Sequence, residues 1–125
     1  MTAAPLISIV DDDAFVREAT ADFLTSLGYQ ACTFASAEQF LASEHLKDTS
    51  CVITDLRMPG LSGLDLQSRL FAGGRKTPVI FITAYPKEQD RSRALSAGAV
   101  AFLNKPFEEA ALISSIEVAL QTCRG

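Results

Sequence analysis

Five short runs of mostly apolar residues alternate along the chain with segments of helical periodicity, and this alternation restricts the fold most strongly. The runs occupy residues 6–10, 29–34, 50–54, 78–82 and 100–103. Each run is too short and too β-branched for a helix and so predicts a buried strand. Strands that are apolar on both faces need cover on both sides, as in a parallel sheet with right-handed crossovers. We therefore predict an α/β fold, a three-layer sandwich of five βα units.

The segments between the runs predict five helices. They cover residues 14–27, a stretch starting at Ser36, residues from about 62 to the glycine pair at 73–74, 88–97 and 107–120. In the first segment Phe15, Ala19 and Phe23 recur at helical spacing, and Gly28 provides a C-terminal stop. Ser36 is suited to an N-cap position, as is Asp13 before the first helix.

Composition excludes several classes of function. At 125 residues the chain has the usual length of one domain. Its formal net charge of -4 argues against the basic surface that direct nucleic-acid binding requires. No apolar stretch approaches the ~20 residues that span a bilayer, and no basic leader is present, so we expect no membrane partner and a cytoplasmic location. The three cysteines are widely spaced, which argues against a disulfide framework or a zinc site. We expect Cys32 and Cys51 to be buried and Cys123 to be exposed.

Polar residues stand at the ends of four predicted strands. Asp11, Asp12 and Asp13 follow the first, Asp55 the third, Thr83 the fourth, and Lys105 the fifth after one asparagine. Ligands of open parallel sheets bind beyond the carboxyl ends of the strands, so these side chains are expected at one edge.

This set of residues suits phosphoryl transfer. Crowded carboxylates repel one another unless a cation is present, and Mg²⁺ suits Asp12, Asp55 and a backbone carbonyl near Arg57, with Asp11 acting through a water. One carboxylate can then attack phosphorus as a nucleophile. Lys105 and Thr83 are the groups expected to stabilise the phosphoryl oxygens.

Taken together, these segments resemble the receiver domain of bacterial two-component response regulators over essentially the whole chain. The segments that carry the resemblance are residues 9–13 with 16–17, 54–63, 82–84, 97–99, 102 and 105–107. The resemblance implies a flavodoxin-like sheet of order 2-1-3-4-5 with a cis Lys105–Pro106 bond. It also implies that Asp55 is the phosphoacceptor, that Asp11 and Asp12 bind the metal, and that Thr83 and Phe102 form the switch.

The resemblance implies a phosphorylation-activated signalling switch. The donor would be a sensor histidine kinase or a phosphotransfer protein, and the face of the fourth helix, fifth strand and fifth helix would control homodimer formation, an output domain or an effector protein. The chain would catalyse only its own phosphorylation and dephosphorylation. The pattern is similar to regulators with a LuxR-type helix-turn-helix output, which suggests transcription regulation. We expect residues 1–125 to be one receiver domain without an output domain, either stand-alone or a piece of a larger regulator.

Three alternatives and one departure accompany this interpretation. A receiver-fold interaction module that works without phosphorylation is the main alternative. A haloacid-dehalogenase-type phosphatase would need an acid at position 57, where Arg57 stands. A flavodoxin would need hydroxyls and amides in its first loop rather than three carboxylates. Tyr85, Pro86 and Lys87 stand where many relatives carry a small, glycine-containing turn. We hypothesise that the bulky Tyr85 and the long Arg57 flank the path of an attacking water and alter autodephosphorylation.

Overall fold

The computed structural model describes residues 4–124, and the side chains of residues 4–121. Its strands are β1 (Leu6–Val10), β2 (Gln30–Phe34), β3 (Thr49–Asp55), β4 (Val79–Thr83) and β5 (Ala101–Asn104). Its α-helices are α1 (Ala14–Ser26), α2 (Ala37–Leu41), α3 (Gly63–Ala72), α4 (Glu88–Ser96) and α5 (Glu109–Arg124). A short 3₁₀ helix at Glu44–Leu46, which the sequence did not predict, precedes β3.

The five strands form one parallel sheet of order β2-β1-β3-β4-β5, which confirms the predicted flavodoxin-like fold. The order reverses at β1, which pairs with β2 on one side and β3 on the other. This reversal opens a crevice at the carboxyl ends of the strands.

The sheet is covered by a separate apolar core on each face. On one face, side chains of α1 and α5, namely Leu24, Leu112 and Ile116, pack with isoleucines of β1, β3 and β4. On the other face, Phe40 of α2, Leu66 and Leu70 of α3 and Ala94 of α4 pack with Val10, Val52 and Phe81. Alternate residues of each strand point to opposite faces, which explains why nearly every strand residue is apolar.

Local signals position the starts of the first two helices as predicted, but the apolar stripe of α1 differs from the prediction. Asp13 accepts hydrogen bonds from two amides at the start of α1, and Ser36 accepts one at the start of α2. The apolar stripe predicted for α1 is wrong at Phe15, which is 81% exposed, and at Ala19, which is also exposed. Val16, one residue on and therefore about 100° around the helix, packs against the core instead.

Two expectations about cysteines can be compared with the structure. Cys51 on central strand β3 is buried as predicted, whereas Cys32 is only half-buried because β2 is an edge strand with one neighbour. The side chain of Cys123 lies outside the described residues. Across residues 4–124, no helix combines the length and the apolar character needed to cross a membrane.

Candidate functional site

The carboxyl ends of four strands bring the predicted polar residues to one edge of the sheet. Asp11 directly follows β1, Asp55 ends β3, Thr83 ends β4, and Lys105 directly follows β5. The strands run in parallel and in register, with Asp55 beside Ile82 of β4 and Thr83 beside Asn104 of β5. Residues that are 94 positions apart in the chain therefore become neighbours at this edge.

Lys105 joins the two buried carboxylates of the cluster. Its ammonium Nζ lies 2.9 Å from Asp11 Oδ2 and donates a hydrogen bond of 3.0 Å to Asp55 Oδ2. Burial by itself would lower the pKa of Lys105, but the hydrogen bonds and charges of Asp11 and Asp55 outweigh it and raise that pKa. The Lys105 amide donates to the Thr83 carbonyl, which holds the backbone at this position. The Lys105–Pro106 peptide is cis, as the resemblance implies.

Three carboxylates meet beside this lysine. Asp11, Asp12 and Asp55 each place one carboxylate oxygen within 4.8 Å of the others. Asp11 is completely buried, and burial raises the pKa of its carboxyl. Its Oδ1 accepts from the Asp13 amide, and its backbone carbonyl accepts from Arg17 at 2.7 Å. The Asp13 amide and Lys105 therefore hold the Asp11 carboxylate, while Arg17 holds the backbone of the same residue.

This cluster fits a divalent cation such as Mg²⁺. All its groups are carboxylate oxygens, the ligands that Mg²⁺ prefers, and Asp12 is exposed, which leaves room for the waters that Mg²⁺ keeps. Apart from Lys105, the fully buried Asp11 Oδ2 has no polar partner within the described part of the chain. A cation would satisfy that oxygen and relieve the mutual repulsion of the carboxylates.

Thr83 and Phe102, the two predicted switch residues, lie on adjacent strands. Thr83 is buried, and its hydroxyl accepts a hydrogen bond of 3.2 Å from the Tyr85 amide. Phe102 is half-buried, with its ring centroid 6.2 Å from that of Phe81. The Thr83 hydroxyl is thus tied to the connection between β4 and α4, and Tyr85 itself is 73% exposed.

The loop after Asp55 is held against the cluster and against two neighbouring helices. The Arg57 amide donates to Asp55 Oδ1 at 3.4 Å, while the Arg57 guanidinium pairs with Asp90 of α4 at 2.8 Å. The Leu61 amide donates to Glu38 of α2 at 3.3 Å. Gly63 begins α3 so close to β3 that a Cβ there would collide with the Asp55 carbonyl oxygen and the Phe81 ring.

Sequence reasoning missed the supporting residues of this site. Arg17 belongs to a segment that carries the family resemblance, and that is the one advance signal it had. Gly63 belongs to another such segment, whereas Glu38 and Asp90 had no signal, because their contacts reach residues that are distant in the chain. All the predicted site residues except Phe102 stand at the crevice edge or in the loop after Asp55.

Comparisons with known proteins agree with this arrangement. A sequence profile described as response regulator receiver domain matches residues 7–117. The chain is 40% identical over 118 residues to Response regulator protein TodT of Pseudomonas putida, covering 94% of this chain and 52% of that protein. It is 39% identical over 114 residues to Transcriptional regulatory protein FixJ of Azorhizobium caulinodans, covering 91% and 54%.

Solved structures show the same similarity. The response regulator StyR superposes with a TM-score of 0.90 at 43% identity, over 98% of this chain and 62% of that chain. The structure of FixJ-N superposes with a TM-score of 0.85 at 37% identity, over 97% and 96%. The chain spans about half the length of the curated relatives that it matches. The profile match, the sheet order and these relatives together show that the chain belongs to the response regulator receiver domain family.

Proposed function

We propose that this receiver domain is switched by a phosphoryl group that Asp55 accepts from a sensor histidine kinase or a phosphotransfer protein. The observation that carries the proposal is the position of Lys105, whose ammonium contacts Asp55 and Asp11 at 3.0 and 2.9 Å. A cation held between two carboxylates at a crevice edge suits the charge that develops during phosphoryl transfer.

Each residue has a proposed task in this chemistry. The Asp55 carboxylate attacks phosphorus, the bond to the donor breaks, and an aspartyl phosphate results. Lys105 keeps its contact with Asp55 Oδ2 and neutralises the incoming phosphoryl oxygens. The Thr83 hydroxyl donates a hydrogen bond to one of these oxygens. It can still accept the hydrogen bond from the Tyr85 amide, because a hydroxyl both donates and accepts.

Mg²⁺ would be held by Asp12 and Asp55, with Asp11 and a backbone carbonyl near Arg57 completing the site. When bound, it neutralises charge on the carboxylates and on the phosphoryl oxygens. Burial raises the pKa of Asp11 and so disfavours its ionised form. A nearby cation would offset this effect and favour the ionised carboxylate. The domain would act only on its own phosphorylation and dephosphorylation.

The output of the switch is proposed from the relatives and from the switch residues. Capture of the phosphoryl group by Thr83 would let the Phe102 ring turn inward and change the face of α4, β5 and α5. That face would control formation of a homodimer, an output domain or an effector. The relative FixJ is named a transcriptional regulatory protein, and we propose transcription regulation, through a LuxR-type output domain, for this chain too.

Intact-mass spectrometry in acid after incubation with Mg²⁺ and acetyl phosphate tests the proposal. We expect the mass of one added phosphoryl group, which Asp55→Asn and a chelator both abolish. Asp48→Asn is the matched control, because Asp48 is an exposed aspartate in the loop before β3 and should leave the adduct unchanged. Absence of an adduct from acetyl phosphate and from kinase donors would favour the phosphorylation-independent interaction module.

A further inference from the structure

We infer that the Arg57–Asp90 ion pair is a clamp that holds the first turn of α4 to the loop after Asp55, and that a phosphoryl group on Asp55 opens the clamp by competing for the Arg57 guanidinium. The inference rests on the proposed function, because it needs a phosphoryl group on Asp55. It assigns to Arg57 a part in the switch that neither Thr83 nor Phe102 performs.

The pair joins the loop after Asp55 to the first turn of α4. Arg57 Nη2 lies 2.8 Å from Asp90 Oδ2, and the two residues are 33 positions apart. The side chain of Asp90 is 16% exposed, whereas that of Arg57 is 52% exposed. The carboxylate is therefore largely covered, and the guanidinium can leave it through solvent.

The structure of α4 makes this contact important. Of its nine residues, all of which the structure describes, Ala94 is the buried one, and its N-cap residue Lys87 forms no side-chain cap. Besides packing at Ala94, α4 is held by the Gln67 side chain, which donates to the Ala94 carbonyl at 3.2 Å. The ion pair between Arg57 and Asp90 holds the N-terminal end of this helix.

Arg57 is also anchored beside the phosphoacceptor. Its amide donates to Asp55 Oδ1, so its side chain starts two residues from the group that would carry phosphate. A phosphoryl group brings a charge of about −1.5 to −2. A guanidinium can donate two parallel hydrogen bonds to two oxygens of the same phosphate. Asp90 offers one negative charge, so a phosphoryl group on Asp55 competes well for Arg57.

Loss of Arg57 from Asp90 would favour movement of α4. A carboxylate that has lost its partner is stabilised by contact with water, and outward movement of the first turn of α4 would increase that contact. The helix dipole still favours a negative charge in that turn, so the turn itself need not unwind. The phosphoryl group would thus act on α4 through Arg57 as well as through Thr83.

A double-mutant cycle read by NMR of the α4 amides tests the clamp. The proteins are the wild-type chain, Arg57→Gln, Asp90→Asn and the double variant, each with and without acetyl phosphate and Mg²⁺. Glu88→Gln is the matched control, because it removes an acid from the same first turn but not from the pair. Intact mass records how much phosphoryl group each sample carries.

Without phosphoryl donor, we expect each single variant to shift α4 resonances toward those of the phosphorylated wild type. The shift should correspond to an increase of about two- to five-fold in the population of that state, as for an exposed ion pair. The double variant should shift no further than either single variant, and Glu88→Gln should not shift. After phosphorylation, the coupling between the two positions should disappear.

Three results would overturn the clamp: single variants that match Glu88→Gln, single effects that add in the double variant, or coupling that survives phosphorylation. An absent mass adduct would instead refute the proposed function and with it the opening step. The cycle without phosphoryl donor would still decide whether the clamp exists, so the two failures are distinguishable.

Discussion

Helices α3 and α4 cover the same face of the sheet, yet they are attached to it in different ways. Four residues of α3 are buried, namely Gly63, Leu66, Gln67 and Leu70, and Ser62 and Asp65 form a complete capping box at its start. In α4, which the structure describes throughout, Ala94 is the buried residue and no side chain caps the N-terminus. One helix is part of the core, whereas the other lies against it.

This difference separates the rigid part of the site from the part that can change. α3 begins against the Asp55 carbonyl and so supports the loop that carries the proposed phosphoacceptor. α4 is held mainly by Ala94, by Gln67 and by the pair with Arg57. An element held by few contacts needs little free energy to move, which suits a switching face.

Core truncation should give the largest contrast between the two helices. We expect Leu66→Ala in α3 to lower the free energy of unfolding by about 2–5 kcal/mol, because it leaves a cavity. Leu95→Ala in α4 should change it by less than about 0.5 kcal/mol, since Leu95 is 38% exposed. Urea unfolding at equilibrium measures both. Equal costs would show that α4 is as firmly packed as α3.

The start of α3 should be the next most sensitive position. Gly63→Ala places a Cβ against the Asp55 carbonyl oxygen and the Phe81 ring, and should cost about 1–3 kcal/mol. Gly73→Ala at the other end of α3 is the control. A Cβ there meets ordinary contacts at 3.4 Å or more and φ is -81°, so stability should be unchanged or slightly higher. Thermal unfolding of the two variants would decide the matter, and a harmless Gly63→Ala would contradict the close approach.

Capping should give a smaller contrast. Ser62→Ala removes the acceptor for the Asp65 amide and should destabilise the protein by about 1 kcal/mol. Lys87→Ala at the matching position of α4 should have an effect within about 0.5 kcal/mol, because the Lys87 side chain caps no amide of α4, a helix that the structure describes in full. Chemical unfolding of both variants tests this, and a similar cost at the two positions would remove capping as a difference between the helices.

The effect of acidic pH on stability should give the smallest contrast between α3 and α4. Hydrogen bonds from the Ser62 backbone and side chain lower the pKa of Asp65 below its ordinary 3.8. A depressed pKa means that ionised Asp65 stabilises the fold above pH 3.8 and that this contribution fades as pH falls through the lowered value. Asp65→Asn should therefore cost stability near neutral pH and less in acid. Glu88→Gln in α4 is the control, and a pH-independent cost of Asp65→Asn would refute the assignment.

Most of the fold followed from local patterns. The bounds of four strands differ by one residue from the predicted bounds, and those of β1 agree with them. Apolar runs mark the strands, whereas hydrogen bonding decides which residues begin and end them. Thr83, predicted to follow the fourth strand, is the last residue of β4. The helix predicted from residue 107 begins at Glu109, and Phe107 lies half-buried in the preceding loop. Phe15 and Ala19 were misassigned because their spacing suits an apolar stripe, whereas the stripe that faces the core runs one residue later, through Val16 and Thr20.

The candidate site divides in the same way. Asp11, Asp55, Thr83 and Lys105 could be grouped in advance because parallel strands bring their carboxyl ends to one edge. The partners of these residues could not be predicted. The pairing of a given guanidinium with a given acid depends on the path of the loops and the rotation of the helices. Neither of these can be predicted from the periodicity of the sequence.

The sequence by itself determined the class of fold, the order of its elements and the edge at which the polar residues collect. The reason is that side-chain periodicity and strand direction act over a few residues and combine under simple rules. Only the tertiary structure decided that Arg57 meets Asp90 and that Gln67 meets the Ala94 carbonyl, across 33 and 27 positions of chain. Such contacts depend on the final placement of whole helices, which is set by packing throughout the core.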